Sequence, residues 1–163
     1  MIEDSIEEIN SSLADELLDT ILDKDPRFFE DLIVDLLVKM GYGQGRATQY
    51  VSDSGIDGII TTDALGFDPI YTQAKRYAKD HRVGRPELQA FAGALGNVAR
   101  GVFITTSSFN SSAVDFASRY PHATIVLIDG QKLSELMIKY DLGVTIERSF
   151  QVKRLDIDYF EQA

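Results

Sequence analysis

Residues 57–75 read Asp-Gly-Ile-Ile-Thr-Thr-Asp-Ala-Leu-Gly-Phe-Asp-Pro-Ile-Tyr-Thr-Gln-Ala-Lys. Two strand-like runs, 56–62 and 68–77, flank the turn-forming Asp63-Ala64-Leu65-Gly66. So short a link makes the two runs antiparallel neighbours. Pro69 falls near the start of the second run, where a missing N–H is tolerated. Side chains alternate faces along a strand, so Gln73 and Lys75 point one way while Thr72 and Ala74 point the other. An acid, Asp57, at the head of the first strand then meets a polar residue and a lysine two apart on the second. Such a set can surround one divalent cation and one water, the minimum equipment for metal-assisted phosphodiester hydrolysis.

N-terminal to this stretch, Tyr42-Gly43-Gln44-Gly45 reads as a turn and 46–51 as a further strand. The turn lacks the Gly-Lys-Ser/Thr ending of a phosphate-binding loop. Before it, Phe28, Phe29, Leu32, Ile33, Leu36, Leu37 and Met40 form the apolar stripe of a helix that Pro26 opens and Gly41 closes. Glu30 and Asp31 lie in its first turn, where carboxylates suit the helix dipole. Glu30 has a second reading, in which it faces the site and helps hold a metal or its waters. Residues 2–22 carry Ile2, Ile6, Ile9, Leu13, Leu17 and Ile21 at helical spacing. Asp25-Pro26 ends that helix, because the residue before proline avoids the helical region. We read 1–25 as an acidic amphipathic arm or linker and 26–163 as the domain proper.

C-terminal to Lys75, a helix begins at Arg85-Pro86-Glu87 with Leu88, Phe91, Ala92 and Leu95 on its buried side, and ends at Gly96-Asn97. The apolar run Val102-Phe103-Ile104 is a buried strand. Strand, helix and strand in succession imply a right-handed crossover and a parallel pair. Asn110 and its neighbouring serines cap a helix over 111–119. A strand follows at 124–128, a helix at 131–140, and an alternating run over 144–153 that suits a final edge strand. The fold class is therefore α/β, with a central mixed sheet flanked by helices.

The formal net charge is −10. That value argues against a nucleic-acid partner, since such binding is driven largely by Lys and Arg, until the charge is divided along the chain. Residues 1–25 hold nine acids and one lysine, while the remainder is close to neutral. Lys75, Arg76, Lys79, Arg82 and Arg85 fall within eleven residues against the single acid Asp80. The bland reading of such a run is a solvated surface. Beside Gln73 and Lys75 we read it as a phosphate-facing patch. There is no cysteine, which excludes disulfides and cysteine-based zinc sites. No apolar run approaches the roughly 20 residues that cross a bilayer, and no signal-peptide pattern is present, so the expected compartment is the cytoplasm and no membrane is involved. His81 and His122 lack metal-ligand spacing and are read as structural or surface residues. Ser107 and Ser108 lack a nucleophile elbow and are read as turn or capping residues.

Seven pieces occur in order: Phe28-Phe29-Glu30, Met40-Gly41-Tyr42-Gly43, Gly55-Ile56-Asp57-Gly58, Gln73-Ala74-Lys75-Arg76, Val83-Gly84-Arg85-Pro86-Glu87, Phe91-Ala92-Gly93-Ala94-Leu95 and Gly101-Val102-Phe103-Ile104-Thr105-Thr106. Together they resemble the Mrr-type restriction endonuclease domain, a branch of the PD-(D/E)xK nuclease superfamily, over about residues 26 to 150. The resemblance implies a restriction-endonuclease-like fold and a Mg²⁺-dependent DNA endonuclease, with Mn²⁺ as a substitute. It implies Asp57 and Gln73 as metal ligands, Lys75 as the residue that orients water and stabilises charge on the phosphate, and Glu30 beside them. Gln73 stands where the wider superfamily has Asp or Glu, a departure shared with this branch, and leaves the site one negative charge poorer. Mrr-type enzymes act in restriction of DNA carrying methylated bases and commonly carry a separate N-terminal DNA-recognition domain; this chain looks like the catalytic half. A homo-oligomer is expected, since cutting both strands takes two sites. Two other readings stand beside this one: a DNA repair or junction-resolving nuclease built on the same core, and a catalytically silent DNA-binding or assembly module in which Gln73 marks a decayed site.

Overall fold

A computed structural model describes residues 1–47 and 55–162. Its first two elements are helices, α1 (Ile2–Leu22) and α2 (Pro26–Lys39). Asp25 separates them and caps the second: its side chain accepts the N–H of Phe28 at 2.8 Å, while Pro26 takes the first helical position. Gly41, at φ +93°, turns the chain out of α2 through the left-handed region that glycine enters without a Cβ penalty.

Five strands follow among the described residues: β1 (Gln44–Ala47), β2 (Gly58–Thr61), β3 (Pro69–Lys75), β4 (Arg100–Thr105) and β5 (Thr124–Ile128). They lie side by side in chain order. β1, β2 and β3 are antiparallel neighbours, whereas β3, β4 and β5 run parallel. This is the expected mixed sheet. The first strand begins two residues before the expected 46–51, and its expected residues 48–51 lie outside the described residues. The β2–β3 turn is built on Asp63, whose carboxylate accepts N–H groups from Leu65, Phe67 and Asp68. Those bonds hold its carboxyl below the ordinary Asp range.

The parallel half contains α3 (Arg85–Leu95) between β3 and β4, α4 (Ser111–Arg119) between β4 and β5, and α5 (Gly130–Lys139) after β5. Each start has its own device. Glu87 accepts the N–H of Gly84, Asn110 that of Ala113, and Asp129 that of Lys132.

Two apolar layers cover the sheet. On one face Ile60, Ile70, Val102, Ile104 and Ile128 pack beneath α1, α2 and α5. On the other, Phe103 and Ile125 pack beneath α3 and α4 with Leu88, Phe91 and Ala113. The alternation of β3 follows from this arrangement: Ile70 and Ala74 face the first layer and Tyr71 the second.

The apolar stripe of α1 is used over half its length. Leu17, Leu18 and Ile21 enter the first layer, while Ile2, Ile6 and Ile9 are exposed. The acidic arm thus continues into the core through its last two turns and rests on α5.

The expected edge strand over 144–153 is not formed. Residues 144–156 carry no ladder, and a single helical turn, α6 (Ile157–Phe160), follows. Alternation supplies a strand's two faces but not a neighbour to pair with. Within this chain, nothing among the described residues pairs with that segment.

Candidate active site

The β2–β3 ladder ends where the chain needs an acid. Gly58 pairs with Thr72 in the last register position. One residue outward, the N–H of Asp57 still donates to the carbonyl of Thr72 at 2.8 Å. The side chain then replaces the backbone as acceptor: Asp57 Oδ2 takes the N–H of Ala74 at 2.8 Å and the amide Nε2 of Gln73 at 3.0 Å. Gly55, at φ +74°, delivers the chain into this position through the left-handed region that glycine enters without a Cβ penalty.

Gln73 is buried, and Lys75, two residues on, is half-buried at the end of β3. The backbone of Lys75 is anchored independently of its side chain, because its carbonyl accepts from Thr105 Oγ1 at 2.8 Å and from the N–H of Thr106 at 3.3 Å. Thr106 Oγ1 reaches on to the carbonyl of Tyr77 at 2.6 Å. Thr105 at the end of β4 and Thr106 just after it thus hold the C-terminal end of β3 in place through its backbone.

Glu30 arrives from α2. Its carboxyl is raised above the ordinary Glu range, first by burial and then by the charge of Asp57, with Arg27 and Lys75 pulling the other way. Asp57 is raised as well, chiefly by burial; the Ala74 N–H, Lys75 and Arg27 oppose it. The two carboxyls therefore sense the same lysine and the same arginine, so Glu30, Asp57, Lys75 and Arg27 share one electrostatic neighbourhood. Arg27 lies 3.6 Å from Glu30 and 3.5 Å from Asp31. Reading the sequence for catalytic types passed Arg27 over. The signal was its i,i+3 and i,i+4 spacing to Glu30 and Asp31.

The basic run is divided. Arg76 turns towards α1 and donates to the carbonyl of Leu22 at 2.7 Å. Lys79 forms an ion pair with Asp19 of α1 at 2.8 Å. Arg82 is exposed, and Arg85 lies over the Phe116 ring, 5.4 Å from its centroid. His81 stacks on Tyr77, and His122 meets Tyr120 edge-on. The Ser107 hydroxyl donates to the carbonyl of His81. All three thus make contacts within the fold.

Two carboxylates, an amide and a lysine converge where an antiparallel β-hairpin joins a parallel crossover; the class so defined is the restriction-endonuclease-like nuclease fold. The chain belongs to the Mrr catalytic family, whose model, described as restriction endonuclease, matches residues 21–137. It is similar to the type IV methyl-directed restriction enzyme EcoKMrr of Escherichia coli K12, with 44% identity over 166 residues, covering 98% of this chain and 53% of that protein. The chain thus spans about half the length of the curated relative it matches. Two solved structures share its fold. The DNA modification-dependent restriction endonuclease AspBHI superposes with a TM-score of 0.65 at 20% identity, over 83% of this chain and 36% of that one. MspJI restriction endonuclease, solved with a 27-mer oligonucleotide, gives a TM-score of 0.60 at 21% identity, over 78% and 31%.

Proposed function

We propose that this chain is the catalytic part of a Mg²⁺-dependent endonuclease that hydrolyses DNA phosphodiester bonds in modification-dependent restriction. The observation that carries the reading is the pinned carboxylate of Asp57, held by Ala74 and Gln73 with Lys75 on the adjacent strand end.

The donor set suits a hard divalent cation. Such an ion takes carboxylate and carbonyl oxygens together with water and substrate phosphate oxygens. Asp57 and Gln73 would hold it, with Glu30 engaging it or its waters. Both carboxyls are raised by burial, so an added positive charge relieves a cost the folded chain already bears. When bound, the ion supplies a polarised phosphate and a more acidic water.

The chain's own residues do the positioning. The Ala74 N–H and the Gln73 amide fix the rotamer of Asp57 before substrate arrives. The Lys75 ammonium, on a backbone clamped by Thr105 and Thr106, orients the attacking water and stabilises charge developing on the phosphate, a contribution of about 3 kcal/mol for a well-placed group. Arg82 and Arg85 draw the DNA backbone in. Recognition of the modified base is assigned to the part of the relative's length that this chain does not match. The working compartment is the cytoplasm.

The deciding experiment is nicking of methylated and unmethylated supercoiled plasmid by this chain and by a full-length parent, with Mg²⁺, with Mn²⁺ and with chelator. Cleavage that needs the metal and disappears in Asp57→Asn supports the reading. DNA binding without cleavage under every metal would make the chain a silent binding module.

A further inference from the structure

Of Glu30, Asp57, Lys75 and Arg27, only Arg27 has no part in the chemistry set out above. It stands in the first turn of α2, just after Pro26, and 46% of its side chain is exposed. Two features fix where that turn lies. Phe29 and Ile33 of α2 share the first apolar layer with Ile60 of β2 and Ala74 of β3, so the helix rests on the strands that carry the site. Arg76, the residue after Lys75, donates to the carbonyl of Leu22 at 2.7 Å. That bond ties the corner between α1 and α2 to the end of β3. Leu22 and Arg27 flank this corner, so Arg27 stands beside the Lys75 end of the sheet, and its charge acts on both Glu30 and Asp57.

The carboxylates beside Arg27 hold it loosely. Its Nη1 lies 3.6 Å from Glu30 and its Nε 3.5 Å from Asp31. A tight charge-assisted bond closes to about 2.7–2.9 Å, as Lys79 does on Asp19 at 2.8 Å and Arg100 on Asp68 at 2.7 Å. Exposed pairs at the longer spacing contribute little to stability, so exchanging one of these carboxylates for another anion costs little. Asp25 does not compete, because its carboxylate already takes the N–H of Phe28. A guanidinium also presents its donors as a planar fork that matches two phosphate oxygens, which a lysine ammonium cannot do.

We propose that Arg27 is a substrate-binding residue, whose guanidinium exchanges Asp31 for the non-bridging oxygens of a DNA phosphate beside the bond that is cut. The inference rests on the nuclease reading above and deepens it. With Glu30 committed to the cation or its waters, the anion that faces Arg27 is the DNA backbone. The contact also completes a track. Arg27 lies on α2, which covers one face of the sheet, and Arg85 opens α3, which covers the other. Lys75 stands between them at the end of β3. A strand of DNA crossing that end is thus held from both faces. Along the chain this role is masked, because Arg27 falls among Asp23, Asp25, Glu30 and Asp31.

The test uses the full chain and a duplex oligonucleotide, with fluorescence anisotropy across a salt series in chelator, where binding is read without cleavage. Arg27→Gln should lower the slope of log affinity against log salt by about 1, and Arg27→Lys, which keeps the charge, should restore it. Asp31→Asn should tighten binding by releasing the guanidinium, and that gain should be lost in the Arg27→Gln background. Both side chains are exposed, so far-ultraviolet circular dichroism should be unchanged in every variant. An unchanged slope in Arg27→Gln overturns the proposal, and so does a gain from Asp31→Asn that persists in full without Arg27. Slower plasmid nicking by Arg27→Gln with an unchanged slope overturns it too, since Arg27 would then only support Glu30. Nicking by the wild-type chain with Mg²⁺ is scored separately: its absence removes the nuclease reading, while the slopes still decide whether Arg27 holds DNA.

Discussion

Asp57 Oδ2 lies 2.8 Å from the backbone nitrogen of Ala74, in the place where the next backbone acceptor of β2 would be if the strand continued. One oxygen therefore serves both the sheet and the site. Asp57→Ala removes that acceptor and leaves a half-buried N–H unsatisfied, at a cost of about 1–3 kcal/mol that offsets the relief of a desolvated charge. Asp57→Asn keeps an oxygen for Ala74 and loses only the charge. Both variants should lose at least ~10²-fold in plasmid nicking, the scale of one lost electrostatic stabiliser. Asp57→Asn should keep wild-type circular dichroism and cooperative unfolding. Retained activity in the folded Asn variant would take Asp57 out of the mechanism.

Stability without metal should depend on pH in the direction set by the raised carboxyls. Asp57 and Glu30 hold their protons more tightly in the folded chain than at their ordinary values of 3.8 and 4.5. The folded state is thus penalised once these groups ionise: the penalty is absent below the ordinary values and is fully imposed when pH rises past the raised ones. Asp57→Asn should therefore be more stable than wild type near neutral pH in chelator, with the gap closing below about pH 4. Urea unfolding at the two pH values measures it. A gap that widens in acid would contradict the burial of Asp57.

Lys75 acts on both carboxyls while its backbone is held by β4. Lys75→Ala should abolish nicking, by at least ~10²-fold, and leave the fold intact. It should also push the Glu30 and Asp57 carboxyls further up, because each loses a favourable cation. Carboxyl titration by NMR in chelator separates this from a purely structural role. Unmoved carboxyls would mean that the ammonium points away from the site.

Gln73→Glu exchanges a hydrogen-bond donor for a second buried carboxylate against Asp57. Without metal the variant should melt at a lower temperature than wild type. With Mg²⁺ or Mn²⁺ it should bind more tightly in calorimetric titration and regain more stability than wild type does, since the added charge now faces a cation. Activity can move either way, because a tighter ground state does not ensure a better transition state. Equal metal affinity in the two proteins would place Gln73 off the metal.

The basic run should contribute unevenly to DNA binding. Arg82 and Arg85 are exposed and make no ion pair among the described residues, while Lys79 is paired with Asp19 and Arg76 is tied to Leu22. Arg82→Ala and Arg85→Ala should each reduce the slope of log affinity against log salt by about 1. Lys79→Ala should reduce it by less, and Asp19→Asn should strengthen binding by releasing Lys79. Fluorescence anisotropy across a salt series reads all four. Equal slopes throughout would move the phosphate contacts elsewhere on the surface.

The order and type of nearly every element could be read along the chain, because each is decided locally. Leu32, Ile33, Leu36 and Leu37 mark one helix face, Asp25, Asn110 and Asp129 each satisfy N–H groups three residues on, and the short turn at Asp63 leaves β2 and β3 no arrangement but antiparallel. The same locality made Asp57, Gln73 and Lys75 legible, since strand alternation fixes which side chains on β3 share a face. What lies far apart in sequence was decided by packing alone. Glu30 suits either a helix dipole or a site, and only the seating of α2 on the first apolar layer brings its carboxyl within reach of Asp57 and Lys75. Arg27 joins them for the same reason. The basic run looked uniform until α1 came to rest beside it and took Arg76 and Lys79. The alternation over 144–153 marks the two faces of a strand, but a strand exists only where another edge receives it. Periodicity states which side of an element is apolar; the surface that side meets belongs to the folded chain as a whole.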